Sequence, residues 1–256
     1  MKKIITSAVI GLLSLTMLAG CSGGKAQSKR FVVGFDSEFP PMGYVDNGEY
    51  VGFDLDLAKE VAKRLDLEYV AQPIAWDSKD NELASGNIDC IWNGFTISGR
   101  EDKYTWTQPY MENDQVVVVK NGSDIKGTSD LAGKKVVVQK DSSGLAALEE
   151  KTELTSTFAE LIQVDTYLNA MMELEAGNVD AIVMDEIVAR YEIQTSGKDF
   201  AILDEAVASE EYGVGFLLGN TELKDKVETT LKAMAADGTL AKISEKWFGK
   251  DITTIK

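Results

Sequence analysis

One pattern, E-L-x-x-G-N-x-D-x-I, occurs twice in this chain and constrains its fold more than any other feature. It stands in ELASGNIDCIW at 82–92 and again in ELEAGNVDAIV at 173–183. Each copy reads as the last turn of a helix, a glycine that stops it, and an apolar run of strand length. Two copies are too few for a solenoid. They predict two similar lobes, each containing one such unit.

The surrounding sequence alternates in the same way. RFVVGF (30–35) is β-rich, 52–66 carries Leu57, Ala58, Val61 and Leu65 on one helical stripe, 67–74 is a second strand, and 88–92 is a third. A long extended run at 114–122 interrupts this series. A new series follows: KKVVVQK, a helix from about residue 145, AELIQV, a helix through YLNAMMELEAG, and VDAIVM. A second extended run, 211–220, precedes two closing helices. Strands alternating with helices predict an α/β fold with mostly parallel sheets flanked by helices. A chain of 256 residues is long enough for one large domain or two modest lobes. Met171 and Met172 read as core filler.

Composition excludes several functions. The net charge of −16 and the lack of a basic patch argue against nucleic acid. The chain has no histidine, which excludes Ser-His-Asp and Cys-His chemistry and removes the commonest transition-metal ligand. No metal site and no cofactor are expected. The start reads as a secretory signal: MKK is a positive n-region, 4–18 is an apolar stretch too short to span a membrane comfortably, and LAGC follows. It resembles the bacterial lipoprotein signal, in which cleavage precedes the cysteine. That implies a signal peptide at 1–20, lipid on Cys21, and a flexible tether at 21–29. Removal of Lys2 and Lys3 would take the charge to −18 (−16 − 2). The simpler alternative is a plain secretory signal with an unmodified Cys21. Cys90 is left without a partner and reads as a small core hydrophobe.

Polar residues gather where the predicted parallel strands end, the edge at which open α/β sheets bind ligands. The first strand ends at Asp36, with Phe39 and Tyr44 close behind. The second leads to Trp76, and the third to Asn93, Gly94, Thr96 and Arg100. In the other lobe, 135–139 ends before Ser142 and Ser143, and 179–184 ends at Asp185. These groups suit a small zwitterion. Arg100 would clamp a carboxylate through paired hydrogen bonds, Asp36 and Asp185 would accept from an ammonium, and backbone amides at a helix start after Ser142 favour anions. Phe39 and Trp76 would supply apolar walls. Each also has a plainer reading. Asp36 would cap a turn, Trp76 would be core, and Thr96 and Ser98 would cap a following helix. Arg100 would pair with Glu101 or Asp102 at the surface, and Asp185 would start a solvated helix. For Ser98 the capping role is the expectation.

The same residues carry a resemblance. GFDSEFPPMGYVDNGEYVGFDLDLAKEVAKRL, AWDS, GNIDCIWNGFTISGRE, DLAGKKVVVQKDSSG, AGNVDAIVMDE and MAADGTLAKISEKWFG, in this order over about 30–249, resemble the amino-acid-binding proteins of ABC importers. The resemblance implies a two-lobe clamshell joined by two crossing hinge strands, with ligand in the cleft. It implies lobe one at 30–115 and 216–256, hinge strands at 116–120 and 211–215, and lobe two at 121–210. It aligns Asp36, Phe39, Trp76, Asn93, Thr96, Arg100, Ser142, Ser143 and Asp185 with ligand contacts. The partners implied are a free polar amino acid, an ABC permease with its ATPase, and the outer face of the cell membrane through lipid on Cys21, for a monomeric protein. Two features depart from the family pattern: TISGR places Arg100 one residue early, and Phe39 stands where tyrosine is common. Two rivals share the scaffold. One is an enzyme of the cyclic-acid dehydratase or cell-wall lyase type, with Glu38 or Asp185 as its acid. The other is a sensory module reporting to a receptor.

Overall fold

Both copies of the repeated pattern fold alike in the computed structural model, which describes residues 29–256. The signal peptide at 1–20, Cys21 and the tether up to residue 28 lie outside the described residues. In the first copy the helix Lys79–Ala84 ends before Gly86, at φ +71°. In the second, Tyr167–Ala176 ends at Gly177, at φ +80°. A left-handed residue here is nearly free for glycine and strained for others. The asparagine that follows closes the turn identically: Asn87 N–H donates to Glu82 O and Asn178 N–H to Glu173 O, both at 3.0 Å. The aspartate then ties each unit to the neighbouring strand, with Asp89 accepting from Val32 N at 2.7 Å and Asp180 from Lys135 N at 2.8 Å.

These units seed two sheets. The first runs Glu68–Pro73, Arg30–Phe35, Cys90–Ile91, Gly215–Leu217, Tyr104–Trp106, and its first three strands are parallel. The second runs Glu160–Val164, Lys135–Gln139, Ala181–Asp185, Met111–Lys120, Phe200–Ile202. Its first three strands are also parallel, and Ala208–Tyr212 pairs antiparallel with Met111–Lys120. A small antiparallel sheet, Glu38–Phe39, Gly43–Asp46 and Glu49–Val51, rides on the first lobe. Three members of the predicted helical stripe, Leu57, Ala58 and Val61, are fully buried in Phe53–Arg64, while Leu65 caps the end of the helix and is partly buried. Met171 is core filler, but Met172, one residue round the helix, is 56 % exposed.

Two local expectations are corrected. Residues 116–120 are not a hinge: Val116–Val119 pair with Ala181–Met184 in the second sheet. All four valines are buried, as befits a strand covered on both faces. The chain instead passes between the sheets at 107–110 and 213–214. There Thr107 N–H donates to Val214 O at 3.2 Å and Tyr110 N–H to Tyr212 O at 2.9 Å. The C-terminal segment joins them, with Thr254 N–H donating to Tyr110 O at 2.9 Å and a bridge between Met111 and Thr253. Nor does a helix follow Ser98. Residues 98–103 form turns, with Gly99 left-handed at φ +76°, so Ser98 caps nothing.

Candidate functional site

The C-terminal ends of the parallel strands in the two sheets face each other. Nine of the ten candidate residues, Phe39, Trp76, Asn93, Gly94, Thr96, Arg100, Ser142, Ser143 and Asp185, line one cavity between the lobes. Gln139 completes the lining. The space between these side chains, counted to the mouth, is about 270 Å³, small for a ligand pocket and suited to one small molecule. Asp36 is the exception. It lies one layer back, where Oδ1 accepts from Glu38 N at 2.9 Å and Oδ2 from Gln139 Nε2 at 2.8 Å. Burial pushes its carboxyl above the usual range, against those two hydrogen bonds. Asp36 therefore positions Gln139 across the lobes instead of meeting the cavity.

The first lobe contributes donors. Gly94 sits at φ +55°, and a Cβ there would meet the Phe39 and Tyr212 rings at 3.0 and 3.1 Å. Its N–H donates to Asp54 Oδ2 at 2.6 Å. Asp54 is wholly buried at the start of helix Phe53–Arg64, and burial pushes it up to about 7. Asn93 Oδ1 accepts from Asp36 N at 2.7 Å, which leaves Nδ2 a buried donor with no partner among the described residues. The early arginine reaches the cavity because 97–100 is a tight turn, in which Arg100 N–H donates to Ile97 O at 2.8 Å. Arg100 is 9 % exposed, and its guanidinium lies 5.5 Å from the Phe95 ring centre. Its partners are two carbonyl oxygens, Thr96 O at 3.4 Å and Asp141 O at 3.2 Å. No carboxylate pairs with it among the described residues, neither Glu101 nor Asp102. Trp76 packs edge-on against Phe95, and Phe39 packs on Tyr167 of the other lobe.

The second lobe contributes acceptors. Ser142 caps helix Ser143–Glu150, its Oγ accepting from Leu145 N at 3.1 Å. Asp185 is 3 % exposed, and burial raises its carboxyl above the usual range despite hydrogen bonds from its neighbours. Its Oδ1 accepts from Asn113 Nδ2 at 3.1 Å and from the Tyr212 hydroxyl at 2.5 Å. Gln115 Oε1 is a buried acceptor with no partner among the described residues. Two further contacts close the lobes on each other. Lys79, 1 % exposed, forms an ion pair with Asp141, and the hydroxyls of Tyr44 and Tyr191 lie 2.8 Å apart.

Gln139, Asn113, Gln115 and Lys79 were not found from sequence. Gln139 is the last residue of a recognised parallel strand, which was the available signal. Asn113 and Gln115 alternate on an extended run whose valines dominated its reading. Among the described residues no helix is long and apolar enough to cross a membrane, and no cluster of three metal-ligating side chains occurs.

Known proteins share this architecture. Residues 31–250 match the family model for bacterial extracellular solute-binding proteins, family 3. The L-cystine-binding protein TcyJ of Escherichia coli K12 is 32 % identical, with 96 % of each chain aligned. TcyA of Bacillus subtilis, also an L-cystine-binding protein, is 30 % identical, with 99 % of this chain and 100 % of that one covered. Among solved structures, a substrate-binding protein of an ABC uptake transporter from Streptococcus pneumoniae with bound histidine superposes with a TM-score of 0.85 at 35 % identity, covering 88 % of this chain and 94 % of that one. The arginine-, lysine-, histidine-binding protein ArtJ of Geobacillus stearothermophilus gives 0.80 at 36 % identity, covering 87 % and 96 %. These relatives are binding proteins, which favours binding over the dehydratase-type rival. With the two-lobe fold, the cleft and a match across nearly every described residue, the chain belongs to the bacterial extracellular solute-binding proteins of family 3.

Proposed function

We propose that this protein captures a free polar amino acid between its lobes and hands it to an ABC permease driven by a cytoplasmic ATPase. The observation that carries this reading is Arg100, a buried guanidinium whose only partners among the described residues are two carbonyl oxygens. A buried cation without an acid is costly, and a ligand carboxylate supplies the missing charge. Across the cavity Asp185 offers the opposite charge to an ammonium. Asn93 Nδ2 and Thr96 flank the carboxylate end, Ser142 and Ser143 support it from the second lobe, and Phe39 and Trp76 bracket the side chain. Bound ligand bridges the lobes and shifts an open–closed equilibrium toward closed, about the crossovers at 107–110 and 213–214.

The relatives above are named for, or bound to, cystine, arginine, lysine and histidine, so the side chain of the ligand is the open variable and the α-amino acid head the constant one. The protein works outside the cytoplasm, as its family does. Lipid on Cys21 tethers it as a monomer to the outer face of the membrane; Cys21→Ala should release it into the medium. Isothermal titration against the twenty amino acids and cystine tests the main reading. Binding of at least one, lost in Arg100→Ala, supports it; silence across the panel overturns it.

A further inference from the structure

Two carboxylates meet in the second-lobe wall of the cleft, but only one lines the cavity. Asp185 does so, and Glu210 of strand Ala208–Tyr212 stands beside it. A single amide joins them: Asn113 Nδ2 donates to Asp185 Oδ1 at 3.1 Å and to Glu210 Oε1 at 2.7 Å. Gln115 Nε2 also donates to Glu210 Oε1, at 3.0 Å, and to Ser143 Oγ at 3.1 Å. Asp185 is 3 % and Glu210 6 % exposed.

Among the described residues no cation pairs with either carboxylate. Strand Met111–Lys120 turns only the amides of Asn113 and Gln115 toward the pair. Helix Tyr167–Ala176 brings the Tyr167 hydroxyl, and Ala208–Tyr212 itself brings the Tyr212 hydroxyl. Arg100, Lys103, Asp141, Glu149 and Glu150 line the more open space beside Glu210, and no ion pair joins any cation to Asp185 or Glu210 among the described residues. Two buried carboxylates on one donor cannot both ionise cheaply. Burial first, and the Asp185 charge second, push Glu210 up to about 8. Gln115 Oε1, buried beside them, is an acceptor in want of a donor.

The geometry points to Glu210 as a proton store for the ammonium site: the Asp185–Glu210 pair holds one proton while no cation faces Asp185, and yields it to solvent when a ligand ammonium arrives. This inference rests on the amino-acid reading above. The charges balance. The pair passes from one negative charge to two, the ammonium brings one positive charge, and the proton leaves to the buffer. Binding therefore releases up to about one proton near neutrality, and affinity rises with pH by at most about tenfold per unit until the empty pair ionises by itself. The chain has no histidine to blur this window.

The test is calorimetric titration of the whole protein, with the tightest binder of the twenty amino acids and cystine, in phosphate and in Tris at pH 7. These buffers differ in ionisation heat, so the difference counts protons. Release of about half to one proton is expected, with affinity climbing from pH 6 to 8. Glu210→Gln keeps an acceptor for Asn113 and Gln115; it should bind within a few-fold at pH 8, release almost no proton, and show a flat profile. Equal heats in both buffers with a pH-independent affinity overturn the proton store and leave the amino-acid reading intact. Release that persists in Glu210→Gln assigns the proton elsewhere, with Asp54 the next candidate, and also overturns it. Silence across the panel overturns both readings. Infrared difference spectra of the wild-type protein give a check independent of the variant: a protonated-carboxyl band must disappear when ligand is added.

Discussion

The two copies of the repeated pattern share a scaffold down to single hydrogen bonds and part company immediately beyond it. In the first lobe the strand Cys90–Ile91 runs into an irregular lip that ends in the buried Arg100. In the second, Ala181–Asp185 ends in a buried acid that leads straight into helix Glu186–Ser196. The first lip presents an arginine and an amide donor that has no partner among the described residues; the second presents the Asp185 carboxylate, with an amide acceptor, Gln115 Oε1, that likewise has no partner among the described residues, on the strand paired beside it. One local fold, used twice, thus sorts opposite charges onto opposite lobes. On the proposed function a zwitterion would satisfy both walls only when the lobes meet, so that recognition and closure would be one event.

That contrast can be broken at several points. The largest effect belongs to Arg100→Ala, which should weaken amino-acid binding by about a hundredfold or more, roughly 3 kcal/mol, as expected for loss of a buried charge-assisted contact. Unchanged affinity by calorimetry would remove the first lobe's half of the comparison. Asp185→Asn comes next, at about ten- to a hundredfold in affinity. In a thermal melt at pH 8 this variant should be more stable than wild type, because a buried charge has gone; a less stable variant would mean that Asp185 holds the second lobe together instead of waiting for ligand.

Asp54 sharpens the contrast from behind the first lip. Its carboxyl is raised from an ordinary value of 3.8 to about 7 by burial. The native state therefore holds this proton more tightly than the unfolded chain. The associated stability is fully present below about pH 4 and is lost as pH climbs through 7, by at most about 1.4 kcal/mol per unit. Urea unfolding from pH 4 to 8 should show this slope, and Asp54→Asn should reduce it. The smallest effect tests the shared scaffold itself. Gly86→Ala and Gly177→Ala should each cost about 1 kcal/mol of stability, with equal losses for equal roles. A penalty in only one copy would show that the two units are alike in shape but not in load.

The division of the site was legible because apolar runs ended abruptly in polar residues, and the ends of parallel strands are fixed in space by topology. Trp76, Asn93, Arg100 and Asp185 came together for that reason, although more than a hundred residues separate the outermost pair. What escaped had no such marker. Glu210, Asn113 and Gln115 alternate with apolar neighbours on strands, and which face they show depends on register against a partner far along the chain. Asp36 carried the right signal but turned out to serve Gln139, because its two oxygens were already engaged by Glu38 and Gln139. The hinge was misplaced where the resemblance prevailed over the residues: a run of four valines reads as the centre of a sheet.

The crossovers between the lobes are tied side by side by backbone hydrogen bonds, and the C-terminal segment is laced onto Tyr110 and Met111. Mechanically this is a strap, not a pair of threads. A strap flexes readily across its thin direction and resists torsion and in-plane shear. If the lobes swing as proposed, such a strap would favour a narrow path over skew and would return Arg100 and Asp185 to the same separation at each closure. A loose tether would search for that distance anew each time; a strap would set the gauge in advance, and the cleft would measure its guest against it.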